Sequence, residues 1–458
     1  MPLLDPADRR PLHFVGIAGA GMSGLAELFV RRGAAVTGCD LAPDGAADVA
    51  RLGVPVLRGH DPAHVDGARA LVVSSAVPRE HPELARARAL GIPVVRRAEA
   101  LAEAVSGGEL VGIAGTHGKT STTVMTTEAL RAAGRAPTGV VGGRVAAWAG
   151  NLSAGGDELF VVEADEYDRS FLALAPTVAV VTNVEADHLD IYRDLDDIRD
   201  AFARFAAGAR AVVRCVDDAG ARSVSLPVGA ELFDYGLEAP QARLQARDVR
   251  AEGTGSRFSV VVDGEPRAEV ALRVPGRYNV RNALAAIGAG LALGADAEAL
   301  ARGVGAYAGV ERRFQRLGEA GGVAVVDDYA HHPTEVAATL QAARGAYPGR
   351  RLVAAFQPHL FTRTRDFARE FGAALAAADV LLLTEIYPAR EQPIAGVTAA
   401  LVRDAAAAAG RPPAWLGARD ALADALHALV RPGDVVLTLG AGDITRTGPE
   451  LLRRLAAA

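Results

Sequence analysis

Short runs of apolar residues alternate with longer Ala- and Leu-rich stretches over most of the chain. A run that is apolar at every position predicts a strand buried on both faces, and stretches of helical length between such runs predict parallel βαβ units. The Ala405–Ala409 region is one expected helix. The predicted buried strands are Leu12–Ile17, Leu71–Ser74, Leu110–Ala114, Leu159–Val162, Val178–Val181, Val323–Val326, Leu352–Phe356, Val380–Leu383 and Val435–Leu439.

The segment Leu226–Pro275 departs from this pattern. Within it, Phe258–Val262 and Val270–Val274 alternate with turn residues, which predicts antiparallel strands at the edge of the middle domain. Polar and glycine-rich clusters near Ser106–Gly108 and Gly309–Arg313 interrupt the series. We therefore expect three domains, covering residues 1–107, 108–310 and 311–458.

Composition narrows the class of protein. The chain has 458 residues, of which 50% are hydrophobic and 23% charged, and this excludes a largely disordered protein. A formal net charge of -6 argues against nucleic acid as the main partner. Because there are only two cysteines and no apolar run long enough for a membrane span, we expect a cytoplasmic protein without membrane insertion.

One residue stands out among the 49 basic ones, because Lys119 is the single lysine and the rest are arginines. A guanidinium is flat and bulky, whereas an ammonium is a compact point charge that fits a tight cradle of oxygens. The sequence therefore singles out Lys119 before any motif is considered.

A glycine turn of the form GxGxxG follows the first predicted strand, and Asp40 follows a short strand predicted at Val36–Gly38. Its glycines would let the backbone approach a diphosphate at a helix N-terminus, and an acid at that distance could hold a ribose. The motif fits a dinucleotide cofactor or, more rarely, a nucleotide-diphosphate substrate. Its candidate binding residues are Gly19, Gly21, Met22 and Ser23, with Ser74 in the same crevice.

A second glycine loop follows Leu110–Ala114 and leads into a helix. Backbone N–H groups would cradle phosphate oxygens, Lys119 would neutralise the transferring group and the Thr120 hydroxyl would reach Mg2+. The strict phosphate-loop spacing requires glycine where this chain has Ile113, so the loop is a variant. Its candidate ATP-binding residues are Gly115, Thr116, His117, Gly118, Lys119, Thr120 and Ser121.

Polar residues also follow the other predicted strands, where the ligands of open α/β sheets bind. From the acidic stretches at 163–166 and 183–188 we select Glu163 and His188 as Mg2+ ligands, beside Thr120. The adjacent His331 and His332 could bind zinc only with further ligands, and no CxxC or HExxH motif supplies them. The remaining candidates are Asn282, Arg313, Asp328, His332, His359 and Arg363.

Seven ordered motifs together resemble those of the Mur ligase family. They are Gly-Ile-Ala-Gly-Ala-Gly-Met-Ser-Gly at 16–24, Ser-Ser-Ala-Val-Pro at 74–78, Gly-Thr-His-Gly-Lys-Thr at 115–120, Glu-Ala-Asp-Glu at 163–166, Asp-His-Leu-Asp at 187–190, Asp-Asp-Tyr-Ala-His-His-Pro-Thr-Glu at 327–335 and Phe-Gln-Pro-His at 356–359. The resemblance implies an α/β fold of three domains: an N-terminal Rossmann-like domain, a central P-loop ATPase domain with the antiparallel elaboration, and a C-terminal Rossmann-like domain.

The resemblance also implies a function in peptidoglycan precursor synthesis. The expected enzyme adds L-alanine to the lactyl carboxylate of UDP-N-acetylmuramate through an acyl phosphate, with ATP and Mg2+, as a monomer or homodimer. The implied roles are Lys119 at the γ-phosphate, Thr120, Glu163 and His188 at Mg2+, Asn282, Arg313 and Asp328 around ATP, His332, His359 and Arg363 near the lactyl carboxylate and L-alanine, and Asp40, His60 and Ser74 in the UDP-sugar pocket.

Lys119 and Arg313 would stabilise the charge of the transferring phosphoryl group, and either His188 or His332 would be the base for the amine. One departure from the family pattern is Tyr278, where such ligases usually have histidine. The carbamoylated lysine of several relatives is also excluded, because Lys119 lies in the phosphate loop. The alternatives are a ligase that recycles a peptide, a nicotinamide-dependent oxidoreductase and a nucleotide-gated interaction protein.

Overall fold

The computed structural model describes residues 2–389 and 391–457. Its contacts divide the chain into two units. The first unit covers the chain up to Val249 together with Phe258–Val270 and Val280–Tyr307. The second unit covers Arg250–Arg257, Ala271–Asn279 and the chain from Ala308 onward.

The N-terminal sheet has five parallel strands in the order β3-β2-β1-β4-β5. Strand β1 is buried along its whole length, as a central parallel strand requires. The strands are β1 (Leu12–Val15), β2 (Val36–Asp40), β3 (Val56–Arg58), β4 (Ala70–Val73) and β5 (Val94–Arg96). The helices are α1 (Ala20–Arg31), α2 (Ala47–Ala50), α3 (Pro82–Ala89) and α4 (Arg97–Val105).

The middle sheet has ten strands in the order β15-β14-β13-β12-β11-β10-β6-β9-β7-β8. Its strands are β6 (Glu109–Ala114), β7 (Thr138–Val145), β8 (Gly150–Ser153), β9 (Leu159–Glu163), β10 (Val178–Val181), β11 (Ala211–Cys215), β12 (Glu231–Gly236), β13 (Leu244–Glu252), β14 (Gly255–Val262) and β15 (Glu265–Leu272). The helices of this region are α5 (Lys119–Ala132), α6 (Leu195–Ala206), α7 (Ala219–Arg222), α8 (Arg277–Ala292) and α9 (Ala297–Gly305).

The C-terminal sheet has the strand order β16-β17-β21-β18-β19-β20. Strands β16 and β17 pair antiparallel, and the other neighbouring strands of this sheet pair parallel. The strands are β16 (Gln315–Ala320), β17 (Val323–Asp328), β18 (Leu352–Phe356), β19 (Val380–Thr384), β20 (Trp415–Gly417) and β21 (Val435–Leu439). The helices are α10 (Pro333–Ala346), α11 (Phe361–Asp366), α12 (Ala368–Leu375), α13 (Ala400–Ala408), α14 (Leu422–Leu429) and α15 (Thr447–Ala457).

The predicted α/β architecture with mainly parallel sheets is confirmed, and each predicted buried strand is present. The first one is shorter than predicted, because the chain turns at Gly16, whose φ is +74°, and Ile17 lies beyond the strand. The segment Leu226–Pro275 is also less uniform than expected, since β12 and the start of β13 pair parallel. The short turns that join β13 to β14 and β14 to β15 are typical of antiparallel hairpins. Within the described residues, every helix is too short or too polar to cross a bilayer.

Candidate active site

The phosphate loop predicted at residues 115–121 connects β6 to α5 in the first unit. Gly118 adopts φ +83°, and a Cβ there would lie 2.6 Å from Asn282 Oδ1. At Gly115 a Cβ would lie 1.8 Å from Thr182 Oγ1. Side chains are therefore excluded at both positions, because the loop packs tightly against its neighbours. The contact with Gly118 also brings the predicted Asn282 to this loop.

The loop is held by its neighbour, the segment that follows β10. His117 N–H donates to Asn183 Oδ1 (2.7 Å), and the Thr182 hydroxyl donates to the carbonyl of His117 (2.7 Å). The hydroxyl of Thr116 accepts the N–H of Glu185 (2.9 Å). These bonds hold the loop backbone in its conformation before phosphate binds, so binding does not have to order the loop.

The ammonium group of Lys119 lies at the centre of the loop. It donates to the carbonyls of Gly115 (2.7 Å) and Thr116 (3.2 Å) and forms an ion pair with Glu166, whose Oε2 is 2.7 Å away. Burial raises the pKa of Glu166 to about 7, although Lys119 acts in the opposite direction. The pKa of Lys119 is itself raised, since the nearby carboxylates outweigh its burial.

Two of the predicted Mg2+ ligands contact each other directly. The Thr120 hydroxyl donates to Glu163 Oε1 (2.8 Å), while the other oxygen of Glu163 accepts the N–H of Gly142 (2.6 Å). The third, His188, has its Nε2 3.7 Å from Glu166 Oε1. Its backbone φ is +54°, an uncommon value for a non-glycine residue that places the ring against Tyr167. The structure thus gathers Lys119, Thr120, Glu163 and His188 at one edge of the middle sheet.

The first glycine turn joins β1 to α1, as its motif predicts. A Cβ at Gly21 would lie 3.0 Å from Arg97 Nη1, so Arg97 lies over the turn. The two carboxylate oxygens of Asp40 accept the N–H groups of Ala18 (3.0 Å) and Ala42 (2.9 Å). Asp40 therefore shapes the loops around this turn.

The other residues predicted for the UDP-sugar pocket occupy different environments. Met22 and Ser23 are buried in α1, where the Ser23 hydroxyl donates to the carbonyl of Ala20 (3.1 Å). Ser74 directly follows β4 and accepts the N–H of Val77 through its carbonyl. His60 has its Nδ1 3.3 Å from the Cys39 sulfur and 3.6 Å from Glu83 Oε2.

One cavity of the first unit reaches from Gly21 of the glycine turn to Glu163, one of the predicted Mg2+ ligands. Its polar lining includes Arg97, Glu163 and Asp165, and Gly21 and Gly142 contribute backbone. A second cavity, lined by Arg96, Arg97 and Arg169 among others, has Ser75 at its edge. Arg97 lines both cavities, so a positive charge lies between the turn and the carboxylates.

In the second unit, Asp328 ends β17 and is buried. Its carboxylate accepts the N–H groups of Phe314 (2.7 Å) and Ala330 (2.8 Å), and burial raises its pKa to about 6. Arg313 Nη1 lies 3.4 Å from Glu335 Oε1, and its guanidinium carbon is 5.1 Å from the centre of the Tyr329 ring. Glu335 also accepts the N–H of His332 (3.2 Å). Arg313, Asp328 and His332 therefore share one end of the sheet.

The other predicted residues of this unit follow β18. Arg363 Nη1 is 3.5 Å from His359 Nδ1, and the His359 ring stacks on Tyr387 at 5.8 Å. His359 also lies 5.8 Å, between ring centres, from His331. Tyr278, which departs from the family pattern, packs against the apolar core of this unit.

Three residues of these sites were not selected from the sequence: Arg97, Glu166 and Glu335. Glu166 lies within the acidic stretch from which Glu163 was chosen, and Glu335 closes the 327–335 motif. Their sequence signal was present, but only burial and contacts separate them from their neighbours. Arg97 had no signal, because arginine is the ordinary basic residue of this chain.

Comparison with known proteins gives three consecutive family matches. The Mur ligase family catalytic domain matches residues 11–108, the Mur ligase middle domain matches 113–290, and the Mur ligase glutamate ligase domain matches 312–442. The UDP-N-acetylmuramate–L-alanine ligase of Cutibacterium acnes is 46% identical, and the alignment covers 98% of this chain and 97% of that protein.

Solved structures agree with these matches. The UDP-N-acetylmuramate-alanine ligase MurC of Thermotoga maritima superposes with a TM-score of 0.83 at 27% identity, covering 98% of this chain and 99% of that one. A murein peptide ligase of Psychrobacter arcticus shares the fold with a TM-score of 0.73 at 24% identity, covering 98% of this chain and 99% of that one. The resemblance read from the motifs is thereby confirmed, and the chain belongs to the Mur ligase family.

Proposed function

We propose that this protein is an ATP-dependent ligase that joins L-alanine to the lactyl carboxylate of UDP-N-acetylmuramate. The observation that carries the proposal is the cavity lined by both Gly21 of the glycine turn and Glu163, which binds Thr120 of the phosphate loop. We infer that this cavity marks the path along the substrate, because Gly21 belongs to a turn that suits a diphosphate and Glu163 belongs to the expected Mg2+ site.

The residues at the phosphate loop fit ATP and Mg2+. Gly115 and Gly118 let the loop pack closely against Thr182 and Asn282, and Lys119 supplies a cation within the loop at the start of a helix. Thr120 and Glu163 offer hard oxygens 2.8 Å apart, which suits Mg2+, and His188 would complete the set. When bound, the metal would neutralise charge on the phosphates.

The chemistry begins from a carboxylate, which does not acylate an amine because its oxygen is a poor leaving group. In the proposed reaction a lactyl carboxylate oxygen attacks the γ-phosphorus of ATP in line, the bond to the β-phosphate oxygen breaks and ADP leaves. Lys119 stabilises the charge on the transferring group. The product is an acyl phosphate, whose phosphate is a good leaving group.

The amine of L-alanine then attacks the acyl carbon, the C–O bond to phosphate breaks and inorganic phosphate leaves. The nitrogen loses a proton to a base, for which His188 and His332 are both candidates. Arg313, paired with Glu335, and the carboxylate of Asp328 would contact ATP. His359 and Arg363 would bind carboxylate groups.

The choice of L-alanine over a recycled peptide rests on the alanine-ligase relative at 46% identity over nearly the whole chain. An oxidoreductase that used the first glycine turn would leave the phosphate loop without a role. A nucleotide-driven switch would have no use for a cavity lined by both Gly21 of the first glycine turn and Glu163.

Release of inorganic phosphate from ATP tests the proposal. We expect release only when UDP-N-acetylmuramate and L-alanine are both present, with a product whose mass equals their sum less one water. Glycine, L-serine and the recycled peptide serve as competing acceptors. Release without any acceptor would indicate a nucleotide switch, and faster release with the peptide would indicate the recycling enzyme; either result would contradict the proposal.

A further inference from the structure

A cluster of metal-binding side chains lies in the N-terminal sheet region, apart from the predicted Mg2+ ligands. We call it the His-Cys-Glu cluster. It consists of His13 in β1, Cys39 in β2, His64 in the segment between β3 and β4, and Glu83 in α3. One ligand atom from each of the four lies within 4.8 Å of the others. His60 and His81 lie beside it, so that four of the ten histidines of the chain surround one carboxylate.

The charge of Glu83 requires a partner. Its side chain is 0% exposed, and its ion pairs within the described residues are all with histidines: His64 at 2.9 Å, His60 at 3.6 Å and His81 at 3.9 Å. A buried carboxylate is costly without a cation.

The contacts of His64 also favour a cation beside Glu83. Its Nδ1 accepts the N–H of Asp61 (3.3 Å) and lies 2.9 Å from Glu83 Oε1. A nitrogen that accepts a hydrogen bond with its lone pair cannot also donate to a carboxylate. If the lone pair of Nδ1 instead binds a metal ion that Glu83 also binds, the contact with the carboxylate is satisfied and the hydrogen bond from Asp61 N–H is given up.

His13 has a ring nitrogen whose lone pair could bind a metal ion. Its Nδ1 contacts the hydroxyl of Thr37 (2.9 Å), while Nε2 is buried with no hydrogen-bond partner among the described residues. If Nδ1 carries the proton and donates to Thr37, Nε2 keeps its lone pair. Metal-binding histidines are usually oriented in this way by a bond at the other nitrogen.

We propose that Cys39, Glu83, His64 and His13 bind one divalent ion of the zinc class. The sulfur of Cys39 lies 3.1 Å from Glu83 Oε1, and the ligands of a tetrahedral zinc ion are about 3.3–3.6 Å apart. This pair therefore needs a shift of only a few tenths of an ångström, while the other ligand atoms, which all lie within 4.8 Å of one another, would move closer together. The thiol proton leaves to solvent, and the ion with one thiolate and one carboxylate forms a neutral buried site.

The ligand types separate this site from the one at the phosphate loop. A thiolate and imidazoles favour zinc over magnesium, which prefers oxygen ligands. His60 and His81, near the other oxygen of Glu83, would orient that carboxylate. Because Cys39 directly precedes Asp40 in β2, the ion would also fix the strand end that shapes the first glycine turn.

Metal binding by the whole purified chain tests the proposal without reference to ligase activity. After removal of metals with a chelator, we expect one equivalent of Zn2+ to bind in competition with a chromophoric chelator and in excess Mg2+. Co2+ in place of Zn2+ should give the charge-transfer band of a cobalt-thiolate bond and the visible bands of tetrahedral cobalt. Absence of stoichiometric binding would overturn the proposal.

The two cysteines provide a matched pair of variants. Cys215→Ser changes the other buried cysteine and should keep the cobalt-thiolate band, which assigns the band to Cys39 even if Cys39→Ser does not fold. Cys39→Ser should remove the band and weaken Zn2+ binding by more than the about 10- to 100-fold typical of an outer residue. His64→Gln, at a partly exposed position, should weaken binding similarly. A band lost in Cys215→Ser, or kept in Cys39→Ser, would refute the assignment.

Discussion

Replacing Thr120 by valine tests the predicted Mg2+ site with the smallest change of shape. The variant loses only the hydroxyl that donates to Glu163 Oε1 (2.8 Å), while Gly142 N–H still holds the other oxygen (2.6 Å). The variant would also remove the hydroxyl from Mg2+, and the about 1.5–3 kcal/mol of a polar contact with a charged group sets the scale of that loss. At about 1.4 kcal/mol per factor of ten, we expect the half-saturating Mg2+ concentration to rise by about 10- to 150-fold.

The assay is a Mg2+ titration of phosphate release at saturating substrates. Thr126→Val is the matched control, because Thr126 lies in the same helix and its hydroxyl donates only to the carbonyl of Thr122 (2.7 Å). We expect the control to keep the wild-type Mg2+ dependence. The reasoning is refuted if Thr120→Val titrates like the wild type, or if both variants shift equally.

Three further changes follow from the same contacts. Lys119→Met should abolish phosphate release while calorimetry still detects UDP-N-acetylmuramate binding; loss of both would mean that Lys119 is structural. Arg97→Ala should raise the KM for UDP-N-acetylmuramate by about 10-fold or more, whereas Arg31→Ala, which removes an ion pair on α1, should not. Burial raises the pKa of Glu166 from 4.5 to about 7, so the folded state binds this proton more tightly than the unfolded chain does. The free energy of unfolding should therefore fall as the pH rises from about 4.5 to about 7, and Glu166→Gln should flatten that slope in denaturant titrations.

How far the sequence predicts the fold depends on where each strand lies. Strands β10, β18 and β21 match their predicted bounds, because both their faces are buried and every position except Thr438 is apolar. Strand β3, at the edge of its sheet, has two exposed residues among three and gives no such signal. Strand β13 is buried only at its first three positions. Because the rest of the strand is largely exposed and polar, its sequence does not show the apolar pattern of a strand.

Some residues of the candidate sites can likewise be found from the sequence, and others only from the structure. Residues of the phosphate loop can be found from the sequence, because phosphate binding requires glycines and a lysine at fixed spacing. The ligands of the His-Cys-Glu cluster come from four separate elements between His13 and Glu83, and no local motif joins them. A search for CxxC or HExxH cannot detect such a set, since only the parallel order of β1 and β2 brings His13 and Cys39 together.

The structure explains why position 119 has lysine and not arginine, which the sequence could only suggest from the rarity of lysine in this chain. Its three N–H bonds meet acceptors in three directions, the carbonyls of Gly115 and Thr116 and the carboxylate of Glu166. A planar guanidinium is larger and cannot direct its donors around one point in this way. Because the carboxylate and a γ-phosphate would compete for the same ammonium, the affinity of this loop for nucleotide depends on Glu166 as well as on Lys119. The exchange of one anion for the other therefore links nucleotide binding to the protonation of a residue that the motif does not identify.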